Sequence, residues 1–169
     1  MAASKGIVLL ENGFEDSELI YPYFRLQEED FEIDLVAEEA DEVYGSKHSY
    51  KLTSDKAAED VDVSEYDVLV IPGGRAPDRM RIKDSMVALA QEAVDNDLVI
   101  ASICHGVQLL IETDILKGKK ATCYYSVKTD MENAGAEFLD QEVVVDGNLV
   151  TSRHPGDLPA FMKKTLDLL

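Results

Sequence analysis

The chain has 169 residues, with 16 basic against 34 acidic side chains and a formal net charge of −18. This length suits one well-packed domain and is short for two, so we predict a single domain over residues 1–169. The negative charge disfavours nucleic acid and anionic membranes as partners, and no apolar run approaches the roughly 20 residues that span a bilayer.

The first half of the chain alternates short apolar runs with one helical pattern. KGIVLL predicts a strand, and DSELIYPYFRLQEED has apolar residues at helical spacing, with Asp16 or Ser17 as the predicted N-cap. FEIDLVAE alternates as a strand does, and VYGSKHSYKLTSD predicts a small antiparallel addition. DVLVIPGG is an almost continuous apolar run that ends in a glycine pair, which is typical of a strand buried on both faces.

The second half continues the alternation. A helix is predicted from about Asp84 to Asp95, followed by the buried strand LVIASIC and a helix over HGVQLLIETDIL. KATCYY predicts a short strand, and SVKTDMENAG a helix that Gly135 stops. VVVDGNLVTS predicts a hairpin that turns at Asp146-Gly147, and PGDLPAFMKKTLDLL a final amphipathic helix.

Repeated strand-helix alternation with apolar strands predicts an α/β fold, a doubly wound sandwich with a mainly parallel sheet and a small antiparallel hairpin addition. In such sheets, ligands bind beyond the carboxyl ends of the strands. Three segments follow strand ends in this way: ENGFEDSE, PGGRAPD and CHG. We therefore expect a functional site where these three segments meet.

Cys104 stands where a buried strand turns into a predicted helix, with Ser102 two residues before it and Gly106 two residues after. Small residues at this spacing are typical of a nucleophile elbow, a sharp turn that lifts the central side chain out of the sheet. A helix beginning here would favour the thiolate over the thiol. The alternative is a packed core cysteine, which is our interpretation of Cys123, since ATCYY has no such turn.

The charge pattern and the cysteines indicate the environment of the protein. Acidic residues are scattered along the chain, as in EED, EEADE and DND, which predicts a solvated acidic surface and a halophilic source; an ordinary acidic mesophilic protein is the alternative. The N-terminal segment lacks the cleavage region of a signal peptide, which favours a cytoplasmic location. Two cysteines without a CxxC motif or a histidine cluster predict reduced thiols and no metal site.

Five segments resemble one family over essentially the whole chain: SICHG, PGGRAP, FEDSELIYPY, DMENAG and VVVDGNLVTSRHPGDLPAF. They look like the PfpI intracellular-protease family of the ThiJ/PfpI superfamily, which is itself similar to class I glutamine amidotransferase domains. The resemblance implies a flavodoxin-like sandwich, a reactive cysteine at the elbow, a homo-oligomer (dimer or hexamer) and no cofactor. Superfamily activities include cofactor-free glyoxalase, protein deglycase, peptidase and oxidative-stress functions.

The resemblance also assigns roles to individual residues. Cys104 matches the nucleophile, His105 the adjacent histidine of its dyad, and Glu18 the acid that hydrogen-bonds the cysteine. A carboxyl beside a thiolate should stay protonated, so it can donate a hydrogen bond and later carry a proton. Glu15 is a second carboxylate nearby, for which we expect a supporting role.

Three further positions carry over from the family. Gly74, after Gly73, matches a turn whose backbone N–H would form an oxyanion hole with the N–H of His105. Tyr124 matches a tyrosine of the pocket wall. Asp78 stands where the peptidase branch has a glutamate supplied by a neighbouring subunit, and it is one methylene shorter, which leaves its reach to His105 open.

Three functions follow from these residues. The leading hypothesis is a Cys104-dependent enzyme acting on a small carbonyl substrate, a glyoxalase that converts methylglyoxal to lactate or a deglycase. The first alternative is a cysteine peptidase of peptide substrates, with His105 as base and Asp78 as its orienting group. The second is a redox-responsive protein in which Cys104 becomes a sulfinate that Glu18 hydrogen-bonds.

Overall fold

The computed structural model describes residues 4–169. Its centre is a seven-stranded sheet in the order β10-β11-β7-β6-β1-β2-β5, in which all neighbours are parallel except the β10-β11 pair. The strands of this sheet, in chain order, are β1 (Lys5–Leu9), β2 (Glu32–Ala37), β5 (Lys56–Ala57), β6 (Val68–Ile71), β7 (Val99–Ile103), β10 (Val144–Asp146) and β11 (Leu149–Ser152). Every residue of β6 and β7 is buried, as the continuous apolar runs predict.

Helices cover both faces of the sheet: α1 (Asp16–Glu28), α2 (Ala76–Met80), α3 (Asp84–Asp95), α4 (Val107–Leu110), α5 (Lys128–Asn133) and α6 (Leu158–Asp167). The connections β1-α1-β2 and β6-α3-β7 run in opposite directions along the sheet, so right-handed crossovers put α1 and α3 on opposite faces. Helix α6 packs beside α1, and α4 contacts α2, α3 and α5. The predicted α/β sandwich is confirmed.

The antiparallel pieces also follow the prediction. Strands β3 (Val43–Gly45) and β4 (Lys51–Thr53) form the small hairpin between β2 and β6. Strands β10 and β11 form the second hairpin, and Gly147 at its turn has φ +61°, a conformation that favours glycine. The segment KATCYY contributes only β8 (Lys120–Ala121), which pairs outside the main sheet with β9 (Glu137–Phe138).

Two predictions about helix ends are wrong. Helix α1 begins after Glu15, not after Asp16 or Ser17, because the Asp16 carboxylate instead accepts hydrogen bonds from Ser46 and His48. The long helix expected over HGVQLLIETDIL is a 3-10 turn, Cys104–Gly106, followed by the single turn α4. Thr113 ends it, since its backbone N–H and its hydroxyl both donate to the carbonyl of Leu110.

The sheet order reverses direction between β1 and β6, so the loops after these two strands lie side by side at one edge of the sheet. Phe14, fully buried, bridges Gly74 on one side and Ser46 on the other. The N–H of Glu15 donates to the carbonyl of Gly73 over 3.2 Å, and the N–H of Lys47 donates to that of Phe14 over 2.8 Å. These bonds hold the loops after β1, β3 and β6 together above the sheet.

Among residues 4–169, none of the helices combines the length and the apolar character that crossing a bilayer requires.

Candidate active site

Cys104 occupies a sharp turn at the end of β7. Its φ of +63° is unusual for a residue with a side chain, and the surrounding packing must hold it there. The small neighbours are needed, because a Cβ on Gly106 would come within 2.6 Å of the Ile71 carbonyl oxygen and of Ser102 Oγ. The residue is 8% exposed and lies on the wall of a cavity. The predicted nucleophile elbow is present.

The protonation of Cys104 differs from the expectation. Burial and the neighbouring Glu18 carboxyl raise the pKa of the Cys104 thiol, and the backbone N–H groups of Gly74 and His105 oppose this only in part. The single helical turn after the cysteine offers little of the dipole expected from a longer helix. Burial and Glu18 thus act against the thiolate that the start of a helix was expected to favour.

Glu18 points from the first turn of α1 into the protein and is fully buried. Its Oε2 accepts a hydrogen bond from the N–H of Gly73 over 2.9 Å, and its Oε1 has no partner among the described residues. Burial raises its pKa to about 7, although the hydrogen bonds from Cys104 and Gly73 act in the opposite direction. Because carboxyl and thiol interact, they titrate as a pair that holds at most one negative charge near neutral pH.

His105 lies half-buried beside the cysteine. Its Nδ1 is 3.3 Å from Cys104 Sγ, its Nε2 is 3.3 Å from the hydroxyl of Ser126, and its ring stacks on Tyr124 with centroids 5.0 Å apart. Burial lowers the pKa of the imidazole, while the charge of Asp78 raises it. A neutral imidazole at pH 7 can accept a proton from a thiol or a bound substrate.

Asp78 is exposed on α2 and lines the same cavity. Within one chain its Oδ1 accepts a hydrogen bond from Gln108 over 3.5 Å, whereas the contacts of His105 are with Cys104 and Ser126. The structure therefore brings Asp78 near the site without making it the orienting group of the histidine in a single chain.

The backbone N–H groups of Gly73 and Gly74 bind two different side chains. The N–H of Gly74 and that of His105 both donate to the Cys104 sulfur and lower the pKa of its thiol. The N–H of Gly73 binds Glu18 instead. Gly74 has φ +79°, and a Cβ there would collide with the Gly13 carbonyl oxygen, so glycine is required.

A cavity of about 820 Å³ opens above the cysteine. The predicted site residues Glu15, Glu18, Gly74, Asp78, Cys104, His105 and Tyr124 all line it, and buried Gly73 lies directly behind them. Sequence analysis missed three cations of the lining: Lys47, Arg75 and Arg79. The basic run in PGGRAPDRMR, directly after a buried strand, was the available signal for the two arginines.

Lys47 approaches the cavity from the loop between β3 and β4. Its ammonium group pairs with Oε2 of the half-buried Glu15 over 3.1 Å. Ligand atoms of Glu15, Asp16 and His48 also lie close together on this side. We assign no ion to them, since the Lys47 ammonium already neutralises Glu15 and the cluster is partly exposed.

Comparison with known proteins identifies the relatives of this chain. Residues 4–168 match the DJ-1/PfpI family. The chain belongs to this family. The family resemblance read from the sequence is confirmed.

Three members show how close the similarity is. Deglycase PfpI of Pyrococcus furiosus is 47% identical over 98% of this chain and 99% of its own length. YraA of Bacillus subtilis, whose name assigns it provisionally to the cysteine proteases, is 44% identical over 99% of both chains. A crystal structure from Anabaena variabilis, with a DJ-1/ThiJ/PfpI-like and a ferritin-like domain, superposes with a TM-score of 0.95 at 42% identity, covering 97% of this chain and 47% of that one.

Proposed function

We propose that this DJ-1/PfpI protein is a cysteine-dependent enzyme that acts on reactive carbonyl compounds. As a deglycase it removes carbonyl adducts, and as a glyoxalase it converts free methylglyoxal to lactate without a cofactor. The observation that carries this is the buried pair of Cys104 and Glu18 under two backbone N–H groups. The similarity to a protein named a deglycase supports the same class of reaction.

In the first step, Cys104 Sγ attacks the aldehyde carbon and a hemithioacetal forms. Glu18, with a pKa of about 7, accepts the thiol proton and returns it to the carbonyl oxygen to complete the hemithioacetal, because a base is most effective when its pKa is near the working pH. The negative charge that develops on the carbonyl oxygen is stabilised by the N–H groups of Gly74 and His105. Proton transfer at this point removes the need for a thiolate in the free enzyme.

The second step moves a hydrogen between the two substrate carbons. A base removes the proton from the carbon bonded to sulfur, and the adjacent carbonyl becomes an enediol; reprotonation at the second carbon gives a lactoyl thioester. His105 and Glu18 are the two groups placed to carry this proton, since both lie against the Cys104 sulfur. Water then hydrolyses the thioester, which releases lactate and regenerates the thiol.

The experiment compares three substrates at once: methylglyoxal, its adduct with an N-acetylated amino acid, and a casein peptide. We expect turnover of the first two, complete loss in Cys104→Ser, and a loss of roughly 100-fold in Glu18→Gln, which cannot accept the proton. Near-normal carbonyl turnover in Glu18→Gln would contradict this mechanism. A Lys163→Gln variant, altered at an exposed position on α6, serves as the matched control.

A peptidase is the second candidate, supported by the name of YraA and by the 3.3 Å contact between His105 and Cys104. It requires Asp78 to reach His105 from a neighbouring subunit of a homo-oligomer, for which we retain the dimer or hexamer as a proposal. Peptide cleavage that disappears in Asp78→Asn, together with carbonyl activity that is absent in the wild type, would favour it. Light scattering measures the oligomer size, and cell fractionation tests the proposed cytoplasmic location.

A further inference from the structure

Two arginines of the cavity have no acidic partner. Arg75 and Arg79 line the cavity, and neither forms a salt bridge with an acidic group among residues 4–169. The chain has three other arginines, and each is paired with carboxylates away from the cavity: Arg25, Arg81 and Arg153. The unpaired guanidinium groups of this protein are therefore concentrated at the site of the reactive cysteine.

The cavity differs in charge from the rest of the molecule. The whole chain has a net charge of −18, whereas the cavity contains Lys47 and the two arginines against the carboxylates of Glu15 and Asp78 and the partly protonated Glu18. Lys47 pairs with Glu15, and Asp78 accepts a hydrogen bond from the neutral amide of Gln108, so neither carboxylate forms a salt bridge with Arg75 or Arg79. The positive charge of the arginines is thus available to a ligand.

Backbone contacts fix the positions of Arg75 and Arg79 beside the cavity. The N–H of Arg75 donates to the Gly13 carbonyl over 2.8 Å, which ties the beginning of α2 to the loop after β1. Arg79 follows one helical turn later, and residues four apart lie on the same face of a helix. Both residues also line a smaller adjoining cavity, so they lie between the two cavities.

We propose that the adduct substrates of this enzyme carry a carboxylate, which Arg75 and Arg79 bind while the reacting carbonyl lies against Cys104. The proposal rests on the carbonyl-directed function above and names the substrate class within it. A guanidinium group matches the planar geometry of a carboxylate and can bind it through two hydrogen bonds. The volume of about 820 Å³ far exceeds what methylglyoxal needs and accommodates a carbonyl adduct of an amino acid.

A matched pair of substrates tests this. The hemithioacetals of methylglyoxal with N-acetylcysteine and with N-acetylcysteine amide differ only in a carboxylate. At low salt we expect kcat/KM to favour the carboxylate adduct by roughly tenfold, the effect of one charged hydrogen bond. The preference should fall in Arg75→Gln and Arg79→Gln and disappear in the double variant. Lys163→Gln, which removes one charge from an exposed position on α6, should keep it.

A second measurement does not depend on turnover. Iodoacetate and iodoacetamide alkylate a thiol by the same reaction, but only iodoacetate is charged. The ratio of the iodoacetate rate to the iodoacetamide rate at Cys104 therefore reports the electrostatic potential in the cavity. We expect the ratio to exceed that of N-acetylcysteine, to fall in the double arginine-to-glutamine variant and to persist in the double arginine-to-lysine variant. A ratio that the glutamine substitutions leave unchanged overturns the proposal. A wild-type protein with the expected ratio but no turnover of either adduct refutes the proposed function and leaves the carboxylate preference standing.

Discussion

The backbone N–H of Gly73 donates a hydrogen bond to Oε2 of Glu18 over 2.9 Å, and this bond fixes a buried carboxyl against the reactive cysteine. The other carboxyl oxygen, Oε1, is buried without a partner among the described residues. An unpartnered buried oxygen is costly when it is charged, which is why the pKa of Glu18 rises to about 7. The site therefore holds a group that exchanges its proton near neutral pH.

Glu18 should lower the stability of the folded protein as the pH rises. The folded-state pKa of about 7 exceeds the reference value of 4.5, so its favourable contribution is complete below pH 4.5 and is lost as the pH rises to 7. The difference corresponds to about 3 kcal/mol. We expect the free energy of unfolding of Glu18→Gln, relative to that of the wild type, to increase by about 3 kcal/mol between pH 4.5 and pH 8. Chemical denaturation in constant salt measures both proteins.

The control for this experiment is Glu59→Gln, which removes one charge from an exposed glutamate far from the cavity. Its pH profile should follow that of the wild type. If the pH profiles of the wild type and Glu18→Gln are parallel, burial does not raise the pKa of Glu18 and the prediction is wrong.

A methyl group at Gly73 should disrupt the site. A Cβ built there lies 2.7 Å from Cys104 Cβ and 3.1 Å from Cys104 Sγ, and it also collides with the Glu18 carboxyl. We expect Gly73→Ala to lose activity by more than roughly tenfold and to destabilise the fold by about 1–3 kcal/mol, the usual cost of overpacking. Gly45→Ala is the matched control, since its nearest atom would be 3.9 Å away. Wild-type turnover in Gly73→Ala would contradict the geometry.

The two thiols should differ in reactivity. Burial raises the pKa of both thiols, but Cys104 lines the cavity and is 8% exposed, whereas Cys123 is 1% exposed and does not line the cavity. Iodoacetamide at neutral pH should therefore modify Cys104 much faster, as measured by peptide mass spectrometry over time. Equal rates at the two cysteines would refute the elbow assignment. With peroxide, a stable sulfinate at Cys104 in a protein without carbonyl turnover would favour the redox alternative.

Salt should stabilise the protein if its acidic surface is adapted to a concentrated medium. The net charge of −18 generates repulsion that molar potassium chloride screens almost completely, because the Debye length falls to about 3 Å. We expect the melting temperature to rise steeply between dilute buffer and molar salt. A melting temperature that stays flat would remove the halophilic interpretation and would leave the fold and the site unaffected.

Local pattern was sufficient to predict much of the fold. The apolar runs of β6 and β7 indicate burial on both faces, and the small residues around Cys104 indicate a turn, since neither feature needs a distant partner. The family resemblance added the pairing of Cys104 with Glu18. The extent of α4 was not predictable, because apolar spacing continues past Leu110 while the hydrogen bonds of Thr113 end the helix.

The chemistry of the site depended on tertiary structure. The raised pKa of Glu18 comes from burial, and burial is decided by the packing of α1 against the loop after β6. Whether a charged side chain has a partner also depends on what lies around it: Asp78 contacts Gln108, while Arg75 and Arg79 form no salt bridge within residues 4–169. The sequence by itself determined which residues lie at strand ends, because that is a local property of hydrophobic pattern. The order of the strands decided which of those residues meet, and the exclusion of water between them decided which protons and charges they hold.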